Sequence, residues 1–254
     1  MSASKSTLIE NKLNYSASIN GIIVPPNSYG KALCNFVDPA IFHNPGFEEF
    51  QISIRGSLTR CKNRGKYFAL TTAHQCDSFG FEQLCIQNHL SRNIVTSNKC
   101  IFAEGGKDAE STLDIRLFEF TDAVVSGALP KSGWFDISEW NPRYTNTDLE
   151  ILISIGYPSE KNFVDYGKSK YEAQPQQVLG SLVRSEITGR NSFEPEGEKI
   201  SNPDGFSGAP VFGVFLAEKT PKIFLIGILT NASKSRFNFT PMGKIGRMVE
   251  KLLN

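Results

Sequence analysis

Short extended patterns, arranged in two series, are the feature that most constrains how this chain can fold. The first series begins with the alternating apolar and polar residues 51–58, and the second begins at residues 150–155. Between them, residues 121–147 carry turn-forming glycines and prolines and are typical of a connecting stretch. Many short strands at close spacing are characteristic of all-β architectures. The pattern therefore predicts an all-β protein, either a double barrel or a sandwich.

One helical pattern closes the chain. Thr240 is a favourable N-cap residue, and Pro241 follows it at the position where proline is accepted in the first turn of a helix. Apolar residues then recur at intervals of three and four and form one stripe, namely Ile245, Met248, Val249, Leu252 and Leu253. We expect this to be the one substantial helix of the protein.

The composition argues against several classes of partner. A chain of 254 residues can form one large domain or two small ones. Its 27 Lys and Arg residues nearly balance its 26 Asp and Glu residues, so the net charge of +1 offers no electrostatic surface for nucleic acid or for a membrane. The N-terminus has no apolar signal region, and no window approaches the roughly 20 apolar residues of a membrane span. We expect a cytoplasmic protein that binds neither nucleic acid nor membranes.

The cysteines favour free thiols over a disulfide framework, because their number is odd and their density is low. They are Cys34, Cys61, Cys76, Cys85 and Cys100. A zinc site could be drawn from His74, Cys76, Cys85 and His89, but this spacing lacks the short cysteine pair that is typical of structural zinc. The expectation is a protein with no metal and no cofactor.

Residues 202–212, with the sequence NPDGFSGAPVF, contain the candidate nucleophile, Ser207. Gly205 can adopt dihedral angles that are closed to other residues, so its N–H group can point to the same place as the N–H group of Ser207. Two converging N–H groups are suited to stabilising an oxyanion. An ordinary glycine turn before a strand would show the same pattern, so the assignment requires a base and an acid elsewhere.

His74 and Asp114 are the candidates for that base and acid. His74 stands where the apolar strand of residues 66–73 breaks into a turn, so a rigid backbone could aim its ring into a cleft. Asp114 begins the partly apolar strand DIRLF, and a buried carboxylate needs a hydrogen-bonding partner such as an imidazole N–H. A purely structural, strand-capping role fits His43 and His89 better than His74, whereas most aspartates placed like Asp114 are turn residues.

The order of the three residues along the chain separates the possible folds. An α/β-hydrolase needs its histidine after the serine, but no histidine follows Ser207, and Ala209 breaks the GxSxG motif. A subtilisin-type order would need an aspartate ahead of His74, and Asp38 lies in an unremarkable segment. The order that remains, histidine, aspartate and serine, is that of chymotrypsin.

With these motifs the chain resembles the trypsin-like serine peptidases, particularly their single-domain bacterial and viral members. TTAHQC is similar to the histidine motif of that family, LDIRLFEF to its aspartate strand and DGFSGAPVF to its nucleophile loop. ISIGYPS is similar to the strand and turn that open the second barrel, and IGILT to the strand that follows the nucleophile. Together these motifs cover roughly residues 50–254. The resemblance implies two six-stranded antiparallel barrels, an active-site cleft between them, and a C-terminal helix.

The resemblance also implies a division of the chain. The expected parts are an N-terminal extension with one strand at 1–45, a first barrel at 46–125, a connection at 126–148, a second barrel at 149–239 and the helix at 240–254.

The activity that the resemblance implies is that of a serine endopeptidase acting on proteins or peptides without a cofactor. Ser207 would attack the carbonyl, His74 would carry the proton, and Asp114 would orient the imidazole. The N–H groups of Gly205 and Ser207 would form the oxyanion hole.

Substrate contacts are expected from two segments. Ser201 would lie near the base of the specificity pocket and Asp204 at its rim. Thr230 would hydrogen-bond Asp114 from behind, while the backbone of Asn231 and Ala232 would pair with an extended substrate.

One departure from the family leaves alternatives open. Phe206 stands where digestive members carry an aspartate that pairs with a newly cut N-terminus, so we expect a site that is preformed or is controlled by the N-terminal extension or a regulatory partner. A latent protease would need a partner to reorder loops 159–176 and 188–204, for instance in bacterial defence or stress. An inactive, protease-like binding protein is the third alternative.

Overall fold

The computed structural model describes residues 15–253, apart from 47, 50, 90, 92, 103–112, 139–145, 169, 198–199 and 218–219. Within these residues the chain forms eighteen strands and three α-helices. None of the described helices has the length and apolar character needed to cross a lipid bilayer.

The N-terminal half builds one curled sheet of seven strands. Its members in chain order are β3 (Val37–His43), β4 (Ile52–Asn63), β5 (Lys66–Thr71), β6 (Leu84–Gln87), β7 (Ile94–Thr96), β8 (Lys99–Ile101) and β9 (Arg116–Glu119). Their order across the sheet is β7-β6-β3-β4-β5-β9-β8, all neighbours are antiparallel, and the two edge strands do not pair. The short strand β10 (Phe135–Asp136) adds to β4 in parallel. This unit is a half-barrel.

The C-terminal half closes into a barrel of six strands. They are β11 (Leu149–Gly156), β14 (Gln176–Val183), β15 (Asn191–Glu196), β16 (Pro210–Ala217), β17 (Thr220–Ala232) and β18 (Phe237–Pro241). The order β16-β11-β14-β15-β18-β17 closes because β16 also pairs with β17. A separate hairpin of β12 (Asn162–Asp165) and β13 (Lys170–Ala173) projects from the loop after β11.

The remaining elements join the two sheets. The N-terminal hairpin of β1 (Ala17–Ile19) and β2 (Ile22–Val24) adds to the edge of the second sheet through β17. Short helices α1 (Tyr29–Cys34) and α2 (Thr121–Val125) flank the first sheet in sequence, and α3 (Met242–Leu253) ends the chain. The buried stripe of α3 packs with side chains of both sheets, among them Leu70 and Phe212, in one shared core.

The expected all-β architecture with two barrel-like units and a C-terminal helix is confirmed. The first unit is more open than expected, since only the second one closes.

Two boundaries in the structure differ from the expected division of the chain. The first sheet begins at residue 37 instead of 46, because β3 lies in the interior of that sheet and β1 and β2 belong to the second. The helix begins at Met242 instead of near Thr240, because Thr240 lies in β18 and its hydroxyl donates to the Leu113 carbonyl instead of capping a helix. The short helices α1 and α2 lie outside the helical pattern recognised in the sequence.

Candidate active site

His74 and Asp114 lie side by side at the ends of two neighbouring strands. His74 begins a single 3₁₀ turn, His74–Cys76, shortly after β5, and Asp114 lies just before β9, which pairs with β5. The φ angle of Asp114 is 52°, a left-handed conformation that aspartate tolerates better than most residues. Its carbonyl accepts the N–H of Ala73 at 3.2 Å. The two strand ends therefore fix the backbone on both sides of the pair.

The carboxylate of Asp114 receives two N–H groups of His74. The backbone N–H of His74 donates to Oδ1 at 3.1 Å, and ring atom Nδ1 lies 3.0 Å from Oδ1 and 2.9 Å from Oδ2. An ionised carboxylate only accepts hydrogen bonds, so Nδ1 carries the proton and Nε2 of the neutral ring holds the free lone pair. The imidazole side chain is 49% exposed, whereas the carboxylate side chain is 14% exposed. This arrangement leaves Nε2 able to accept a proton.

Ser207 borders the same cavity as this pair, between the two sheets. The cavity has a volume of about 750 Å³, and its lining includes His74, Asp114, Gly205 and Ser207. Among the described residues the Ser207 hydroxyl has no hydrogen-bond partner, and Nε2 of His74 lies 3.4 Å from the hydroxyl of Thr72. His74 and Asp114 are thus hydrogen-bonded to each other. Within the described part of the chain, no hydrogen bond joins the His74 ring to the Ser207 hydroxyl.

The N–H groups of Gly205 and Ser207 are oriented by the carbonyls that precede them. The Asp204 carbonyl accepts the N–H of Ser159 at 2.8 Å, and the Phe206 carbonyl accepts the N–H of Ala209 at 2.9 Å. In a trans peptide the N–H points away from the carbonyl, so each N–H is directed opposite to these contacts. Neither N–H has an acceptor within the described part of the chain. Both residues border the cavity, so the two donors are available there.

Gly205 is required at its position for two reasons. Its φ is 95°, which residues with a Cβ rarely adopt, and a Cβ there would collide with the Tyr157 carbonyl. This agrees with the expectation that a glycine allows the turn before Ser207.

Polar side chains of the first sheet hold the Ser207 loop in place. The N–H of Ser57 donates to the Ser207 carbonyl at 2.9 Å, and the hydroxyl of Ser57 donates to the Gly205 carbonyl at 2.7 Å. The hydroxyl of Thr59 donates to the Gly208 carbonyl at 2.8 Å. Both side chains come from β4 and are fully buried. Sequence reasoning missed them, because β4 carries several other polar residues and its pattern does not set these two apart.

Gln75 forms a second bridge, directly after His74 in the sequence. Its Nε2 donates to the Ser207 carbonyl at 2.8 Å, and its Oε1 accepts from the hydroxyl of Thr71 at 2.5 Å. A Cβ at Gly56 would collide with Nε2, so that glycine leaves the space that the amide fills. Gln75 therefore ties the histidine turn to the serine loop.

Phe206 anchors the Ser207 loop in the second barrel. Its side chain is fully buried and meets the ring of Phe237 edge-on at 5.4 Å between centroids. A Cβ at Gly156 would lie 2.6 Å from the Phe206 ring, so glycine is needed beneath it. The Ser207 loop is thus anchored by an apolar side chain at this position.

The expected substrate residues divide into two groups. Asp204, Thr230, Asn231 and Ala232 border the cavity, as expected of residues that could contact a substrate. Ser201 is absent from the described lining and is exposed, with its hydroxyl 3.1 Å from a carboxylate oxygen of Glu160, so its expected place at the base of a pocket is wrong.

Thr230 does not support Asp114 as expected. Its hydroxyl donates to the Asn238 carbonyl at 3.3 Å, at the point where the register between β17 and β18 shifts. The charged group next to Asp114 is instead Arg190, whose terminal nitrogen lies 3.9 Å from Oδ2. Sequence reasoning did not anticipate this arginine, which arrives from a loop far along the chain.

The residues of the possible zinc site have separate partners. The thiol of Cys76 donates to the Thr72 carbonyl, that of Cys85 donates to the Gln83 carbonyl, and the ring of His89 lies 3.6 Å from Asp38. Burial raises the pKa of Cys76 to about 12 and that of Cys85 to about 11. Among the described residues no group of three or more such side chains could hold a metal ion.

Comparisons with known proteins identify the fold. No protein-family model matches the chain. No curated protein sequence matches it either. Among solved structures, human heparin binding protein superposes with a TM-score of 0.55 at 13% identity, over 87% of this chain and 92% of that one.

Two further structures of the same human protein agree. A point mutant of heparin binding protein (CAP37) gives a TM-score of 0.54 at 14% identity over 91% of this chain and 94% of that one. The atomic-resolution structure gives 0.53 at 13% identity over 87% and 91%. At this identity the likeness concerns the fold and supports no bacterial or viral subgroup. The chain has the chymotrypsin-like two-barrel fold.

Proposed function

We propose that the protein is a serine endopeptidase that cleaves peptide bonds of protein substrates through an acyl-enzyme. The observation that carries the proposal is the meeting of three groups around one cavity. These are the hydrogen-bonded pair of His74 and Asp114, the hydroxyl of Ser207, and two N–H groups without acceptors among the described residues.

In the proposed reaction, Ser207 Oγ attacks the substrate carbonyl carbon while Nε2 of His74 takes the hydroxyl proton. The N–H groups of Gly205 and Ser207 donate to the oxygen as it becomes negative, and one such donor is typically worth about 10²–10³ in turnover. His74 then gives the proton to the leaving amine, and a water molecule repeats the sequence on the acyl-enzyme. Asp114 keeps Nδ1 protonated throughout.

A rotation of side chains must precede the attack. Nε2 of His74 is near the hydroxyl of Thr72, so the ring has to turn toward Ser207 when substrate enters. The half-exposed imidazole has room for that motion. Catalytic hydrogen bonds often tighten only in the complex with substrate.

In a second form of this proposal the protein is a latent protease. A bound partner would then bring Nε2 of His74 and the Ser207 hydroxyl into hydrogen-bond contact. The loop after β11 supports it, because Ser159 holds the Asp204 carbonyl and Glu160 holds Ser201. A partner bound to this loop would act on the Gly205 N–H through the Asp204 peptide.

A protease-like binding protein without activity is the second candidate. The open link between Ser207 and His74 favours it, as do the names of the structural neighbours, which describe a protein that binds heparin. The nearly neutral charge of this chain argues against a polyanionic ligand.

Hydrolysis of a peptide pool, followed by mass spectrometry, tests the proposal. The wild type should cleave, Ser207→Ala should not, and Ser201→Ala should match the wild type because Ser201 lies outside the cavity lining. Cleavage only in the presence of a partner would support the latent form. No cleavage by the wild type under either condition would leave the binding protein.

A further inference from the structure

Arg190 borders the cavity with a guanidinium that lacks a hydrogen-bond acceptor among the described residues. Its side chain is 12% exposed, and the nearest carboxylate oxygen, Oδ2 of Asp114, is 3.9 Å away, beyond hydrogen-bond distance. A guanidinium has five N–H donors, and at this half-buried position next to the cavity they remain able to donate to a ligand that enters it. The side chain is therefore prepared to receive an anion.

Asp114 does not accept a hydrogen bond from the Arg190 guanidinium, and its carboxylate is already hydrogen-bonded to His74. Oδ1 accepts the backbone N–H of His74, and Nδ1 of the ring lies within 3.0 Å of both oxygens. Burial lowers the pKa of Arg190, and the charge of Asp114 opposes that effect only in part. The positive charge beside the cavity is thus incompletely balanced.

Arg190 is placed where it could contact a peptide bound in the cavity. Asn191, the next residue, pairs with Phe239, and Phe239 pairs with Leu229 beside Thr230. Arg190 consequently lies two strands across the second barrel from the segment 230–232 that is expected to hold an extended substrate. Both Arg190 and that segment border the same cavity.

Other charges around the cavity do not change this conclusion. The guanidinium of Arg55 stacks over the ring of Phe79, 4.7 Å from its centroid, on the first-sheet side. Asp204 is exposed at the rim, where water screens its carboxylate. Arg190 is the more buried of the two arginines, so its charge acts at a lower dielectric.

We propose that Arg190 forms a subsite for an acidic side chain of the substrate. The planar carboxylate of glutamate or aspartate matches the fork of a guanidinium and can accept two parallel hydrogen bonds. This inference rests on the proposed function for the identity of the ligand as a peptide. It deepens that function by assigning a preference for substrates with an acidic residue near the cut.

Peptide binding to the Ser207→Ala variant tests the subsite without hydrolysis. Two peptide pools of identical length are compared by fluorescence anisotropy, and they differ only in having Glu and Asp or Gln and Asn at the varied positions. A hydrogen-bonded charge is worth about 1.5–3 kcal/mol, so the acidic pool should bind about ten- to a hundredfold more tightly. The difference should shrink as salt is added.

Arg190→Gln in the same background should make the two pools bind equally. Arg184→Gln is the matched control, because it removes the same charge from the same loop at an exposed position outside the cavity lining. Arg190→Lys, which keeps the charge without the fork, should retain a reduced preference. Thermal melts of each variant check that the fold is intact.

Equal binding of the two pools with Arg190 present, or no binding of either pool, would overturn the subsite. A preference that survives Arg190→Gln would also overturn it. Failure of the proposed function has a different signature, namely that the wild type cleaves neither pool while the acidic preference in binding persists.

Discussion

The loop that carries Ser207 and the turn that carries His74 border one cavity, yet they are held in different ways. Each of the five consecutive carbonyls from residue 204 to 208 accepts a hydrogen bond, and three of them are held by side chains or backbone of the N-terminal half. The imidazole, by contrast, is half-exposed and contacts Asp114 on one edge only. In the proposed function, the N–H groups that would stabilise a negative oxygen are therefore fixed in advance, whereas the imidazole that would move the proton is free to turn.

This difference suggests how stability and function are divided between the two sides. Buried hydrogen bonds around Ser207 join the two sheets, so changes there should affect both folding and activity. Changes on the exposed ring should affect activity alone.

Replacing His74 by alanine should reduce kcat by roughly 10⁶-fold, as removal of the base does in serine hydrolases generally. The ring is half-exposed and its one strong partner is Asp114, so the midpoint of thermal unfolding should change little. Steady-state hydrolysis and a melting curve measure the two quantities. A large loss of stability with only a small loss of kcat would contradict the proposal that the His74 ring serves activity and not folding.

Replacing Ser57 by alanine should lower both activity and stability. The hydroxyl of Ser57 accepts the N–H of Tyr157 and donates to the Gly205 carbonyl. Its loss leaves both groups without a hydrogen-bond partner, which should lower the free energy of unfolding by about 1–3 kcal/mol for each. The shift of the Gly205 peptide should reduce kcat by about 10²-fold. Denaturant unfolding and steady-state hydrolysis measure the two losses.

Ser53→Ala is the matched control for Ser57→Ala. Ser53 lies on the same strand, and its buried Oγ has no hydrogen-bond partner among the described residues. Denaturant unfolding should leave it near the wild type. If the two variants were equally stable, the bridge to Gly205 would have no energetic role.

Replacing Thr72 by valine should raise activity by freeing the His74 ring. The change keeps the shape of a fully buried side chain but removes the hydroxyl that lies 3.4 Å from Nε2 of His74. A ring without that contact should turn toward Ser207 more readily, so kcat should rise by about twofold to fivefold, within the population shift that a weak hydrogen bond allows. A fall in kcat would mean that the hydroxyl helps to orient the ring.

His89 and Asp38 provide an internal reference, since they form a second histidine–aspartate contact outside the cavity that Ser207 borders. Contact with Asp38 raises the pKa of His89, against the opposing effects of burial and of Arg60. A raised pKa in the folded state means that the contribution to stability is full below the unfolded pKa of about 6.5 and is lost as pH rises through the folded value.

His89→Gln should therefore cost stability at pH 5 and little at pH 9. The ring is mostly exposed, so the cost should stay below about 1 kcal/mol. Urea unfolding at the two pH values measures it, and hydrolysis at fixed pH should be unaffected. A cost that grew with pH would contradict the assigned sign.

The sequence was sufficient for the parts of the site that chemistry restricts to a few residue types. Ser207, His74 and Asp114, which border one cavity, could be selected from the sequence because a hydroxyl, an imidazole and a carboxylate in this order fit few folds, and Gly205 because its turn excludes a Cβ. The all-β class could be predicted from the strand patterns. The start of the first sheet could not, because β3 lies in a segment that the sequence pattern assigns to the N-terminal extension.

The supporting residues could not be predicted because their roles depend on contacts across the chain. Ser57 meets Gly205 over a separation of 148 residues, and Gln75 meets Ser207 over 132. Arg190 reaches Asp114 from a loop of the other barrel. The hydroxyl of Thr230 bonds to Asn238 on the neighbouring strand at a register shift, and no sequence pattern indicates where such a shift occurs.

The most direct test of the central claim is the intact mass of the protein after treatment with a fluorophosphonate. We expect one adduct per chain, located on Ser207 by peptide mapping, absent from Ser207→Ala and formed far more slowly by His74→Ala. A wild-type protein that acquires no adduct, or that carries it on another residue, would contradict the assignment of Ser207 as a nucleophile activated by His74.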